Sequence, residues 1–166
     1  MILYSLAYTI KMSKKGSHQI KDYFDFVVPP LEGFWWQDGV KGIDYAHKER
    51  FNFISCVRMP EFVTDEVLVW AKKEAAIKKG LDFSPVKLLV LTEGKCVQIM
   101  HHGSYDDEPA TIAKMHQFIA KNDLGLDFSD QRRHHEIYLS NPQRTKLENL
   151  KTIIRLPVKE KKMKND

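Results

Sequence analysis

The chain has 166 residues with 43% hydrophobic content, enough for the core of one domain and too apolar for a disordered chain. Its 26 Lys and Arg against 22 Asp and Glu give a formal charge of +4, and Lys159, Lys161, Lys162 and Lys164 against Glu160 and Asp166 put half of that in the last residues. The rest is near neutral and holds no basic stripe, which argues against nucleic acid as a partner.

Leu3, Leu6, Ala7 and Ile10 recur at helical spacing almost from the first residue, and Lys14-Lys15-Gly16-Ser17 ends that helix. Tyr23 to Val28 alternates aromatic and β-branched residues and is expected to form a strand, broken by Pro29-Pro30, neither of which donates to a ladder. Glu32-Gly33 leads into a second short strand carrying Phe34, Trp35 and Trp36, and Gly39 to Lys48 reads as a polar loop. Phe51 to Arg58 alternates again. Thr64 is placed to cap a helix running to about Lys79, with Val67, Trp70, Ala71 and Ile77 on one stripe and Gly80 as its stop. Val86 to Leu91, the turn Thr92-Glu93-Gly94-Lys95, and Cys96 to His101 have the pattern of a hairpin. A helix follows from about Asp107 to Lys121, with Ile112, Met115, His116 and Ile119 on one face. Strands at His134 to Leu139 and Lys151 to Pro157 flank a turn at Ser140-Asn141-Pro142. The second half thus reads strand, helix, strand, strand, and the first half helix, strand, strand. Tyr23–Pro29 set against His134–Leu139 suggests an internal repeat.

Common catalytic signatures are missing: there is no CxxC, HExxH, G-x-S-x-G, P-loop or dinucleotide glycine pattern, so no cofactor is expected. Cys56 and Cys96 sit in apolar alternating segments and read as reduced core thiols. Apolar runs such as Val67–Ala71 fall far short of the roughly 20 residues that span a bilayer, and Met1-Ile2-Leu3-Tyr4 lacks the basic start of a secretory signal. The expectation is a cytoplasmic protein with no membrane partner.

Strand alternation singles out Glu136. His134, Glu136 and Tyr138 point one way while His135, Ile137 and Leu139 point the other, so one face gathers a carboxylate, a phenol and an imidazole. Such a face is either solvated or a site. A carboxylate drawn partly out of water binds a proton more readily and suits general-base work or pairing with a cation. Trp35 and Trp36 fall on opposite faces of one strand, one toward the core and one toward a site, with register deciding which. An aromatic wall suits flat or cationic ligands. Trp70 reads as core from its stripe. His101-His102 and His134-His135 are adjacent pairs whose members point apart and cannot both ligate one ion. One histidine from each strand with Glu136 would make a facial triad, but no spacing demands it and no metal is expected. Asp106, Asp107 and Glu108 read as acidic groups offsetting a helix dipole, with Pro109 fitting the first turn.

Four segments in order, Pro30-Leu31-Glu32-Gly33-Phe34-Trp35-Trp36, Met59-Pro60-Glu61-Phe62-Val63-Thr64, His101-His102-Gly103-Ser104-Tyr105-Asp106-Asp107-Glu108 and His135-Glu136-Ile137-Tyr138-Leu139-Ser140-Asn141-Pro142, resemble the GyrI-like small-molecule-binding family. More narrowly they resemble its stand-alone branch, which includes cyclopropanoid cyclopropyl hydrolases. The resemblance implies an α+β fold of two βαββ (SHS2-type) modules with antiparallel sheets around a ligand groove. On this chain that is a single domain over 1–158, with module 1 about 1–60, a linking helix about 64–79, module 2 about 86–158, and a basic disordered tail over 159–166. Stand-alone members begin with a further strand that this sequence does not show ahead of Leu3, so the first module is expected to lack it. A bare edge of that kind invites a homodimer. The resemblance also implies that Glu136 sits in the groove and, with Tyr138, carries catalysis: hydrolysis of a strained cyclopropane on a DNA-alkylating natural product. It implies ligand-binding roles for Trp35, Trp36, Trp70, His102 and Tyr105 toward a small aromatic or cationic ligand. A non-catalytic drug-binding or effector-sensing module is the alternative, and DNA gyrase as a partner has only the family name behind it.

Overall fold

The computed structural model describes residues 2–161. The chain falls into two compact units, one made of the residues up to Pro30 together with Cys56–Val90, the other of Leu31–Ser55 together with the residues from Leu91 onward.

The first unit is helical. Helix α1 (Ile2–Lys11) buries Leu6, Ala7 and Ile10, as its periodicity predicts, and leaves Leu3 of the same set partly exposed. Helix α2 (Asp65–Lys79) starts where the Thr64 side chain accepts a hydrogen bond from the Val67 amide at 3.4 Å. It ends at Gly80, whose φ of 64° is the left-handed turn that glycine adopts without a Cβ clash. Its buried stripe is Leu68, Ala71 and Ala75, with the expected Val67 and Trp70 partly buried against the same core, whereas Ile77 is 83% exposed and lies off it. Tyr23–Val28 forms no strand. Instead Tyr23, Phe24 and Phe26 set their rings 5.2, 5.3 and 5.9 Å from that of Phe62, and the Tyr23 hydroxyl donates to the Lys11 carbonyl at 2.7 Å. Val86–Leu91 likewise joins no ladder, and Val90 is 91% exposed, so the expected hairpin does not form. The proposed repeat therefore pairs a strand at 134–138 with a segment that is none.

An antiparallel open sheet of six strands organises the second unit. The strands are β1 (Leu31–Trp36), β2 (Asn52–Val57), β3 (Cys96–His102), β4 (Leu124–Leu126), β5 (His134–Tyr138) and β6 (Lys151–Glu160). Their order is β2-β1-β5-β6-β3, with β4 added along β6. β4 has no counterpart in the sequence reading, and β6 runs on through Lys159 and Glu160, where the basic tail was expected to begin; residues 162–166 of that tail lie outside the described residues. Helix α3 (Glu108–Lys121) lays Ile112, Met115 and Ile119 on Leu124, Ile154, Leu156 and Val158, while His116 is exposed. Each aliphatic side chain buried there contributes about 1.5–3 kcal/mol. The architecture is α+β. No helix among the described residues is long and apolar enough to cross a membrane.

Candidate active site

Register decides what faces what. Across β1 and β5, Leu31 pairs with Tyr138, Gly33 with Glu136 and Trp35 with His134; across β5 and β6, Glu136 pairs with Ile154. Ile154 lies in the core beneath α3, so His134, Glu136, Tyr138, Gly33 and Trp35 all share the helix-covered face.

On that face the side chains form a chain of hydrogen bonds. Trp35 Nε1 donates to the Tyr138 hydroxyl at 2.8 Å, which donates to Glu136 Oε2 at 2.7 Å, while His134 Nε2 lies 2.9 Å from Glu136 Oε1. A carboxylate only accepts, so His134 donates from Nε2. Glu136 is 7% exposed, with both oxygens engaged. The two hydrogen bonds fix the orientation of the carboxyl group. Burial, then the charge of Glu136, raises the pKa of the Tyr138 phenol, so Tyr138 is a donor here and not an anion. Tyr105, in a 3-10 turn (Tyr105–Asp107), sets its ring edge-on to Tyr138 with centroids 6.1 Å apart. Phe51 and Phe53 stand 6.0 and 5.0 Å from the Trp35 ring.

A second carboxyl completes the cluster. Glu108 opens α3 but is 3% exposed, so it faces inward instead of offsetting the helix dipole in water. Its Oε2 lies 3.5 Å from the Tyr45 hydroxyl. Tyr45 is placed by a 3-10 turn (Tyr45–Arg50) that buried Gln37 ties down, its amide meeting Asp44 N, Asp44 O and His47 O at 2.7, 3.0 and 2.9 Å. Burial, then the neighbouring Glu136 charge, pushes the Glu108 carboxyl up to about 8. Donor atoms of Glu108, His134 and Glu136 all lie within 4.8 Å of one another, a spacing that would also hold a metal ion. The hydrogen bonds already made to both Glu136 oxygens favour a cluster that shares protons.

Other expected residues stand elsewhere. Trp36 is on the opposite sheet face, with the Arg133 guanidinium 3.5 Å above its ring, and His102 is exposed opposite Lys151 while its neighbour His101 turns inward to Thr111 Oγ1 at 2.8 Å. Trp70 belongs to the helical unit and stacks on His18 at 4.0 Å. Glu108, Tyr45 and His134 were not singled out as site residues from sequence. For His134 the strand alternation was the available signal; Tyr45 and Glu108 lie on a loop and at a helix start whose approach to the sheet no local pattern encodes.

Residues 3–159 match the family model of the GyrI-like small molecule binding domain. The chain belongs to that family. Among solved structures, the GyrI-like chain is similar to a hydrolase from Listeria innocua, with 49% identity over 95% of this chain and 76% of that one and a TM-score of 0.85. It is also similar to an uncharacterised conserved protein from Listeria innocua, 51% identical over the same shares at a TM-score of 0.86. No curated protein matches it.

Proposed function

We propose that this GyrI-like protein binds flat aromatic xenobiotics against Trp35, Tyr138 and Tyr105 and hydrolyses a strained cyclopropane on a DNA-alkylating natural product, which detoxifies it. The observation that carries the reading is Glu136, a buried carboxylate held by two donors amid aromatic rings. Water adds to the cyclopropane carbon; the new C–O bond forms as the ring C–C bond breaks, its electrons passing into the conjugated ring. Glu136 takes the proton of the water, and Tyr138 with His134 keeps the accepting oxygens in place. The hydrolase from Listeria innocua, about half identical in sequence, supports hydrolysis as the reaction class.

The test is to incubate the protein with a cyclopropane-bearing alkylating compound and follow its mass. Gain of one water, lost in Glu136→Gln, is the expected result. Tight binding with the compound recovered unchanged would assign a sequestering module instead.

A further inference from the structure

Glu136 and Glu108 come from distant parts of the chain, yet donor atoms of the two lie within 4.8 Å of each other. Glu108 Oε1 is buried and has no hydrogen-bond partner among the described residues, and neither does His134 Nδ1. Facing the Glu108 carboxyl are Tyr45, Tyr105, Tyr138, Glu136, His134, Lys48 and Asp106. Glu136 has two donors at 2.9 and 2.7 Å, whereas Glu108 has one at 3.5 Å. Two carboxyls this close do not both ionise readily, and the more buried one, with a single long hydrogen bond, holds its proton. The proton therefore rests on Glu108, which makes an acid and a base side by side.

We propose that the Glu136–Glu108 pair opens three-membered heterocycles, oxiranes and aziridines, carried on a flat aromatic body. This rests on the reading of Glu136 as a general base. The argument is one of reach. In an oxirane the leaving oxygen is bonded to the attacked carbon. A water about 3–3.5 Å from that carbon and the leaving oxygen therefore both fall within a hydrogen bond of two carboxyls this close. In a cyclopropane fused to a dienone the electrons leave through the ring to an oxygen on its far side, beyond an acid adjacent to the base. The unpartnered Oε1 of Glu108 is the atom free to hold the leaving group.

The step balances without a further reactant. The water oxygen bonds the ring carbon while Glu136 takes one of its protons. The C–O bond of the ring breaks, its electron pair stays on oxygen, and that oxygen takes the proton from Glu108, giving a vicinal diol, or an amino alcohol from an aziridine. The proton on Glu136 then returns to Glu108 across the same gap.

Phenanthrene 9,10-oxide in ¹⁸O-labelled water is the probe, with mass spectrometry reading the product. The expected product is a diol carrying one heavy oxygen, formed about 10²–10⁴-fold more slowly by Glu136→Gln and by Glu108→Gln. The wild-type rate should also fall as pH rises past about 8, where Glu108 gives up its proton. No opening above the uncatalysed rate overturns the proposal, as does full activity in a folded Glu108→Gln protein. Should that variant fail to fold, a wild-type profile flat or rising through the same pH overturns it. A cyclopropane compound run in parallel separates the two readings. Cyclopropane opened with the oxirane untouched overturns the acid–base pair and leaves Glu136 as base; oxirane opened with the cyclopropane untouched sustains the pair and removes the cyclopropane substrate.

Discussion

Tyr138 lies across Gly33: a Cβ built there would be 2.7 Å from the Tyr138 hydroxyl, and 2.8 Å from Trp35 Nε1. Gly33 is also the ladder partner of Glu136, so the lack of a side chain at this one position makes room for the hydrogen bond that joins Trp35 to Tyr138. Gly33→Ala should cost about 1–3 kcal/mol as an overpacked site and should lower turnover by moving the phenol off Glu136. Urea unfolding and a rate measurement on one preparation check both; a protein unchanged in each would show that the ring does not need this gap.

Glu136→Gln keeps the shape of the side chain and a hydrogen-bonding group but cannot accept a proton. Binding of neutral ligands should survive while hydrolysis falls about 10²–10⁴-fold. Calorimetric binding beside single-turnover kinetics separates the two effects. Wild-type turnover in the variant would move the chemistry to Tyr138 and a water held without a carboxylate.

Trp35 and Trp36 should respond unequally to ligand. Trp35 shares the face of Glu136, whereas Trp36 lies under Arg133 on the other side of the sheet. A polyaromatic ligand should quench tryptophan emission, Trp35→Phe should remove most of that quenching, and Trp36→Phe should leave it nearly intact. Equal small losses in the two variants would contradict the face assignment.

Glu108 ties stability to pH. Its carboxyl is pushed up from an ordinary 4.5 to about 8 in the fold, so between those values the folded protein holds a proton that the unfolded chain has released. Stability from this group is complete below the lower value and is lost as pH rises through the upper one. Glu108→Gln has no such proton, so its stability relative to wild type should improve between pH 5 and pH 8.5. Urea midpoints at the two pH values decide it, and a difference that does not move with pH would mean that Glu108 is ionised throughout.

Much of this was legible in the sequence where the signal is local. Thr64 and Gly80 marked the ends of α2, and alternation in β5 put His134, Glu136 and Tyr138 on one face. Alternation did not say whether a strand has a partner. Tyr23–Val28 and Val86–Leu91 both alternate or run apolar, yet the first spends its aromatic residues on Phe62 and the second stays off the ladders. The choice between Trp35 and Trp36 needed the register of β1 on β5, which depends on contacts far apart in sequence. Glu108 was misread because acidic residues at a helix start are usually solvated, and here tertiary packing turns that residue inward.

The strand β5 carries a different polar set on each side. Opposite Glu136, His135 places its Nδ1 2.6 Å from Glu93 and its Nε2 2.8 Å from Glu32, with the Phe34 ring stacked on it at 4.1 Å. Side chains alternate with a period of two, so the strand works like a reading frame. Deleting one residue within 134–138 would present His135 and Ile137 to the helix-covered face and turn Glu136 toward Phe34, exchanging a carboxylate for an aliphatic group beside Glu108. Because β5 is laddered on both flanks, by β1 and by β6, such a frameshift cannot be absorbed by sliding one edge. Length changes should therefore be tolerated in the turn after β5 and not within it.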